Sequence, residues 1–361
     1  MTRTARYAAK DELSRVLAAL ARDRRVLAPQ RQGANVLLRP LAPGEKPLLT
    51  RPTLPPKAVV FPQSEQLFAF FREKDPQESE RANIRLDAAH EAEPTLVFGC
   101  RPCDARGLTV FDRVYLNGPY RDPYYAARRE ATVLASLACS KSCATCFCHW
   151  TGSGPADKTG SDLLFTDLGH GFVIEAATER GAKMLTGLGL EEAGTHLKET
   201  VAQHEAALQR MGPAPDLSAA RTRLEERFDD LDFWGKVSDK CLSCGACTYL
   251  CPACYCFNIT DENDPGGLSG RRLRSWDNCM SPRFTLEASG HNPRRDKAQR
   301  LRNRVGHKFS IYPALHGGVF SCTGCGRCIT GCPVSLDIRD VLLRALAADA
   351  AQKPRKEDNN V

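Results

Sequence analysis

The sequence contains no long hydrophobic run, although 42% of its 361 residues are apolar. No stretch approaches the roughly 18 consecutive apolar residues that would cross a bilayer, so we expect no membrane span. Near the N-terminus, Leu13, Val16, Leu17 and Leu20 recur at helical spacing, and this pattern lacks the continuous apolar core of a signal peptide. The sequence therefore predicts a cytoplasmic protein.

Motifs for nucleotide binding and for bond-making catalysis are also missing. The chain has no G-x-G-x-x-G after a strand and no G-x4-G-K-S/T, which argues against a dinucleotide fold and a P-loop. No Ser/His/Asp or paired-carboxylate arrangement stands out either. We expect that the chain itself carries out no bond chemistry and binds no flavin or NAD(P).

Neither sign of charge dominates, because 50 Lys and Arg residues are matched by 43 Asp and Glu residues, for a net charge of +7. The basic residues are spread along the chain, except at 271–274 and 294–304. No aromatic-basic motif accompanies them, so we expect no nucleic-acid partner. A surface of this charge docks an acidic protein or is simply solvated.

The length allows two or three domains. We expect an α+β or α/β domain over residues 1–176, a helical connector over 177–236, a mostly α-helical ferredoxin-type domain over 237–351 and a disordered tail at 352–361. The local patterns predict strands at 95–98, 131–137, 163–166 and 172–175, and helices at 63–71, 105–115, 217–233 and 337–351.

Seventeen cysteines are too many for ordinary packing. In a reducing compartment they are expected to hold metal as thiolates instead of forming disulfides. Eight of them form two copies of C-x2-C-x2-C-x3-C-P, which is the bacterial 4Fe-4S run. The copies are Cys241, Cys244, Cys247 and Cys251 before Pro252, and Cys322, Cys325, Cys328 and Cys332 before Pro333.

The spacing also predicts how the two clusters share these ligands. Three thiolates on one tight loop reach three corners of a cubane, and the fourth, expected at the start of a helix, serves the neighbouring cluster. This assigns Cys241, Cys244, Cys247 and Cys332 to one cluster, and Cys251, Cys322, Cys325 and Cys328 to the other. Structural zinc is the alternative, but zinc ribbons use two separated C-x2-C pairs.

The segment between the two motifs, residues 252–321, is expected to pack as a helical subdomain over the clusters. It contains Cys254, Cys256 and Cys279, which either bind metal or line the cluster pocket as buried thiols. Three cysteines without a fourth favour packing.

Six further cysteines follow two of the predicted strands in the N-terminal domain: Cys100, Cys103, Cys139, Cys143, Cys146 and Cys148. Because functional groups of α/β sheets gather at one end of the strands, these thiols are expected to meet. Four of the six would suffice for a third 4Fe-4S cluster; a zinc site and unligated cysteines are the alternatives. His149 is either a further ligand or a hydrogen-bonding neighbour of the motif.

Taken together, these motifs resemble the 4Fe-4S dicluster family that includes the beta subunit of cytoplasmic NADP-linked NiFe sulfhydrogenases and the corresponding subunit of anaerobic sulfite reductase. The resemblance runs over nearly the whole chain. Besides the two tetrads, it is carried by KAVVFPQ at 57–63 with Glu65, RPCD at 101–104, CFC at 146–148 with Gly154-Pro155, CPACYCF at 251–257, WDNC at 276–279 and GHNPR at 290–294.

The resemblance implies a subunit that relays electrons between a flavoprotein handling NAD(P)H and a catalytic subunit. It also singles out Cys103, Cys139, Cys146 and Cys148 for the third cluster, because Cys100 and Cys143 do not match regular family positions. We expect a hydrogenase subunit. The alternatives are the sulfite reductase subunit, an electron-transfer subunit of another flavin-coupled complex or, from a different class, a stand-alone Fe-S sensor protein.

Overall fold

The computed structural model describes residues 4–347 except 76, 78–81, 89 and 91, and the tail expected at 352–361 lies outside those residues. The described chain separates into two compact units. The first contains the residues up to Pro215 together with Gly245–Asn278 and Cys322–Cys332. The second contains Asp216–Cys244, Cys279–Ser321 and the described residues from Pro333 onwards.

The described strands are β1 (Ala5–Ala9), β2 (Arg25–Gln32), β3 (Asn35–Pro40), β4 (Ser64–Lys74), β5 (Ala82–Asp87), β6 (Thr95–Phe98), β7 (Thr132–Leu137), β8 (Leu163–Asp167), β9 (Gly171–Ala176), β10 (Glu191–Glu192), β11 (Phe257–Asn263) and β12 (Ser269–Trp276). The described α-helices are α1 (Leu13–Leu20), α2 (Lys57–Val60), α3 (Pro102–Tyr115), α4 (Pro123–Ala131), α5 (Glu179–Thr186), α6 (His196–Gln209), α7 (Ala220–Glu226), α8 (Leu231–Ser238), α9 (Ala246–Tyr249), α10 (Lys297–Gly306), α11 (Tyr312–Leu315), α12 (Arg327–Thr330) and α13 (Ile338–Ala347).

An eight-stranded mixed sheet forms the centre of the first unit, in the order β10-β1-β9-β8-β7-β6-β2-β3. Strands β2, β6, β7 and β8 run parallel to one another, and the remaining neighbours are antiparallel. Every residue of β6 and β7 is buried, as expected for parallel strands covered on both faces. The N-terminal domain is therefore an α/β layer structure.

Helices cover the two faces of this sheet. Leu96 and Phe98 of β6 pack with the apolar side of α1, which includes Val16 and Leu17. On the other face, Val97 packs with a cluster that includes Leu108 and Phe111 of α3. Successive side chains of β6 thus belong to two hydrophobic layers on opposite faces of the sheet. The carboxyl ends of the parallel strands remain available for functional groups.

A second, antiparallel sheet in the first unit has the order β11-β12-β4-β5. The predicted helix at 63–71 is wrong, because this segment is strand β4 and pairs with β12, for example Arg271 with Ala69. The expected helical subdomain between the tetrads is also wrong over 257–276, where β11 and β12 form a hairpin. For β4, pairing with a segment about 200 positions away outweighs the local helical pattern, and for β11 and β12 pairing within the hairpin does so.

The second unit is built mainly from α7, α8, α10, α11, α13 and a π-helical segment at His307–Ile311. The single helix predicted at 217–233 is interrupted, because Asp230 caps α8 by accepting a hydrogen bond from Phe233 N at 3.0 Å. Arg227 precedes this cap and donates to the carbonyl of Ala345 in α13 at 3.1 Å. No helix in the described part of the chain is long and apolar enough to cross a membrane.

Candidate metal centres

The two cysteine motifs fold into the same local structure. In each, a glycine with a left-handed backbone precedes a one-turn helix that contains the third cysteine of the motif. Gly245 has φ 75° before α9, which contains Cys247, and Gly326 has φ 73° before α12, which contains Cys328. Because positive φ favours glycine, the repeated sequence requires this residue at the same place in both loops.

The fourth cysteine of each motif follows its short helix instead of beginning one, which corrects the sequence expectation. Pro252 and Pro333 lie in turns, not in the first turn of a helix. The two short helices α9 and α12 pack against each other. A Cβ on Gly331, next to Cys332, would lie 2.2 Å from Cδ1 of Leu250, next to Cys251. The residues that precede the two fourth cysteines, Leu250 and Gly331, therefore touch within the first unit.

One predicted ligand set belongs entirely to the first unit, whereas the other has residues in both units. Cys251, Cys322, Cys325 and Cys328 all belong to the first unit. Of the other set, Cys247 and Cys332 belong to the first unit, and Cys241 and Cys244 to the second. Among the remaining cysteines of the inter-motif segment, Cys254 and Cys256 are half-buried in the first unit and Cys279 is buried in the second.

A buried lysine fixes the first motif in its unit. The side chain of Lys57 is 2% exposed and donates to the carbonyls of Thr248 at 3.2 Å and Cys254 at 3.1 Å. Its ammonium group also lies 4.2 Å from the ring centroid of Trp276. Lys57 and Trp276 belong to two of the segments that carry the family resemblance, 57–63 and 276–279. Their contacts hold the residues around Cys251 in place.

A buried ion pair fixes the second motif. Arg327 lies between Cys325 and Cys328 and binds both carboxylate oxygens of Asp104, one of them at 3.0 Å. It also donates to the carbonyl of Pro52 at 3.0 Å. Asp104 is fully buried beside Cys103. The ion pair therefore joins a residue of the second tetrad loop to the turn that carries Cys103.

The N-terminal cysteines converge at the carboxyl ends of β6 and β7. A cavity of about 410 Å³ is lined by all four residues that the family resemblance selects, and also by Cys143 and by Cys325 of the second tetrad. The four selected residues are Cys103, Cys139, Cys146 and Cys148. The prediction that the six N-terminal thiols would meet is confirmed for these four and for Cys143, and the participation of Cys325 was not predicted.

Cys100 and His149 are not among the described residues that line this cavity. Cys100 is fully buried, with its Sγ 3.4 Å from the hydroxyl of Ser136. The ring of His149 packs beside Trp150, and burial lowers its pKa. Both residues therefore belong to the packing around the site.

Burial disfavours the thiolate form of the four selected cysteines. Burial raises the pKa of Cys148 to about 12 and that of Cys146 to about 11. Burial also raises the pKa values of Cys103 and Cys139, although the Arg101 and Arg51 guanidinium groups act in the opposite direction on Cys139. Converging thiols that become thiolates only on binding metal are the donor set of zinc or iron–sulfur sites.

The loop of the second tetrad lies directly against the cysteine loop of the N-terminal domain. Phe147 N donates to Gly324 O at 2.8 Å, and a Cβ on Gly324 would be 2.4 Å from the backbone of Phe147 and Cys148. Arg51 adds a bridge, because it donates to Cys325 O at 2.7 Å. Arg51 was missed because a single arginine in a proline-rich segment gives no local signal.

Comparison with known proteins identifies the domain that contains the two tetrads. Residues 240–336 match the family model of the 4Fe-4S dicluster domain. The C-terminal region therefore contains a 4Fe-4S dicluster domain. Beyond that domain, the chain is similar to sulfhydrogenase 2 subunit beta of Pyrococcus furiosus, with 28% identity over 303 residues, covering 81% of this chain and 83% of the relative. The resemblance inferred from the motifs is confirmed. No solved structure matches.

Proposed function

We propose that this chain is the iron–sulfur electron-transfer subunit of a cytoplasmic, NAD(P)-linked NiFe hydrogenase. In this role it relays electrons between a flavoprotein and the catalytic subunits. The observation that carries the proposal is the cavity at which thiols of the N-terminal domain meet Cys325 of the dicluster domain. The similarity to a sulfhydrogenase beta subunit over most of both chains supports the choice of complex.

The dicluster domain would hold two 4Fe-4S clusters with exchanged fourth ligands. Cys241, Cys244, Cys247 and Cys332 would bind one cluster, and Cys251, Cys322, Cys325 and Cys328 the other. Packing of Leu250 on Gly331, each adjacent to a fourth cysteine, supports the exchange. When bound, such clusters accept and release single electrons. The side chains of this subunit would bind the clusters, exclude water from them and set their reduction potentials.

Cys103, Cys139, Cys146 and Cys148 would hold a third 4Fe-4S cluster. A single zinc ion draws four sulfurs around one point, whereas a cubane keeps them apart, and a thiol-lined cavity of about 410 Å³ suits the cubane. Burial disfavours free thiolates at this position, so the thiols would lose their protons only to a bound metal, and the nearby guanidinium groups would favour the negative charge of such a thiolate-bound group.

The proposed third cluster would lie next to the cluster of Cys325. Cys146 Sγ is 3.8 Å from the carbonyl oxygen of Cys325, and Cys325 itself lines the cavity. No bond of a substrate is made or broken along this path. A flavoprotein partner would divide the hydride of NAD(P)H into single electrons, which the clusters then carry.

Anoxic affinity purification of the complex tests this function. We expect the chain to co-purify with a flavoprotein and with a NiFe catalytic subunit. NADPH should then bleach its iron–sulfur absorbance only when the flavoprotein is present. An isolated chain that carries its own flavin and is reduced directly by NADPH would contradict the proposal, and capture of a siroheme protein would assign the chain to sulfite reductase.

A further inference from the structure

Arg51 connects the two cysteine groups of the first unit through one nitrogen atom. It lies in the segment between β3 and α2 and lines the cysteine cavity. One terminal nitrogen, Nη1, is 3.6 Å from Cys146 Sγ and donates to the carbonyl of Cys325 at 2.7 Å. The guanidinium group is thus shared between a proposed ligand of the N-terminal cluster and the backbone of the second tetrad loop.

Arg101 also lines this cavity, but its guanidinium group binds backbone carbonyl groups instead of a sulfur atom. Its guanidinium group donates to the carbonyls of Leu137 at 3.2 Å, Ala138 at 3.1 Å and Leu49 at 2.6 Å. These contacts hold the end of β7 in place. Arg51, in contrast, directs an N–H group at the sulfur atom of Cys146, 3.6 Å away.

We propose that Arg51 raises the reduction potential of the N-terminal cluster and lies on the path of electron transfer between that cluster and the one held by Cys325. This inference rests on the proposed function. A cation and an N–H···S hydrogen bond stabilise the reduced cluster, which carries one more negative charge than the oxidised one. In the transfer step, one cluster loses one electron and the other gains it, and no proton or bond changes.

The contacts of Arg51 make this effect asymmetric. Towards the N-terminal cluster it reaches a sulfur ligand, whereas towards the other cluster it reaches only a peptide carbonyl. The N-terminal cluster therefore gains more from the charge, which favours electron flow towards it from the cluster of Cys325. Outer-shell groups of this kind tune a metal site without binding it, so Arg51 is a positioning residue.

An EPR-monitored redox titration of the full-length, cluster-loaded chain tests the inference. In Arg51→Gln, the midpoint potential of one cluster should become more negative, while the other potentials stay unchanged. Arg51→Lys should cause a smaller negative shift, because the ammonium group keeps the charge but ends a side chain one atom shorter than the one that carries Nη1 to both partners. The control Arg31→Gln removes the same charge from an exposed position on β2 and should shift no potential.

Iron content separates the failure of this inference from the failure of the proposed function. About eight irons per wild-type chain would remove the third cluster and with it both proposals. About twelve irons with unmoved potentials in both Arg51 variants would overturn the role of Arg51 alone. An equal shift of all clusters would also overturn it. Should Arg51→Gln lose iron, an unshifted Arg51→Lys variant would decide against the role.

Discussion

Cys100 and Cys103 are three positions apart and both buried, yet the structure gives them different surroundings. Cys103 lies in the first turn of α3 and lines the cysteine cavity, whereas Cys100 is enclosed beside Ser136. Residue type and burial alone cannot distinguish them. The direction of each side chain at the end of β6 decides which thiol can reach a metal.

This difference predicts opposite results for two alanine variants. Cys103→Ala should lose about four irons per chain, because one corner of the proposed third cluster has no ligand. Cys100→Ala should keep the iron content of the wild type. Iron and acid-labile sulfide analysis after anoxic purification measures both. Equal iron contents in the two variants would contradict the assignment of Cys103.

Cys100 should also make stability depend on alkaline pH. Burial raises the pKa of Cys100 from 9.0 to about 12. Below about pH 9 the thiol is protonated in both the folded and the unfolded chain, so its contribution is complete. Between about pH 9 and 12 the unfolded chain releases the proton first, and stability falls by up to about 1.4 kcal/mol per pH unit. Urea unfolding should therefore show a weaker loss of stability with rising pH in Cys100→Ala than in the wild type. Identical pH slopes would contradict this.

The buried pair of Asp104 and Arg327 should be essential to stability. Asp104→Asn leaves the Arg327 guanidinium buried without its counter-ion, which costs about 3–5 kcal/mol for pairs of this kind. The midpoint of urea unfolding, followed by cluster absorbance, should fall accordingly.

A matched control is available on the surface. Asp261→Asn breaks the exposed pair with Arg272 and should leave the midpoint almost unchanged, because solvent screens that pair. Asp104→Asn with Arg327→Gln should recover part of the lost stability. An Asp104→Asn variant as stable as the Asp261→Asn control would refute the structural role of the pair.

At the scale of elements, the buried parallel strands were predictable from local sequence. The prediction of 95–98 coincides with β6, and those of 131–137, 163–166 and 172–175 differ from β7, β8 and β9 by no more than one residue at either end. Continuous apolar runs with turn residues on either side carry this information. Strand β4 depends instead on pairing with β12, which lies about 200 residues later. Local sequence therefore cannot identify it.

The candidate site, too, could be predicted only in part from local sequence. Cysteine spacing identifies the tetrads, since three ligands on one loop must be close in sequence. The contact of Cys325 with the N-terminal cavity, and the bridge through Arg51, depend on how distant segments meet. Sequence spacing contains no information about that meeting.

Gly324 tests the contact between the two cysteine loops. Gly324→Ala places a Cβ 2.4 Å from the backbone of Phe147 and should force the loops apart. Gly317→Ala is the matched control, because the two φ angles are 61° and 63° but no atom lies within 4 Å of a Cβ at 317. Both variants carry the backbone strain, and only the first adds the clash.

We expect Gly324→Ala to lose iron and to unfold at a lower temperature than Gly317→Ala. Iron content and thermal melting, measured side by side, compare the two. If Gly324→Ala keeps full iron and melts with the control, then the loops do not touch as described.

At the scale of the whole molecule, spatial order differs from chain order. The first unit is assembled from three separate segments, and this assembly brings Cys103, Cys146 and Cys325 to one cavity. A relay needs redox centres that are close to one another, and the proposed third centre would extend the relay from the dicluster domain into the N-terminal α/β domain. The proposed relay therefore depends on how many clusters one chain holds.

The most direct measurement is the iron and acid-labile sulfide content of the anoxically purified chain, together with EPR of its reduced form. We predict about twelve irons and a matching amount of sulfide per chain, with signals from three reduced 4Fe-4S clusters. About eight irons per chain, or a colourless protein that contains only zinc, would contradict this prediction.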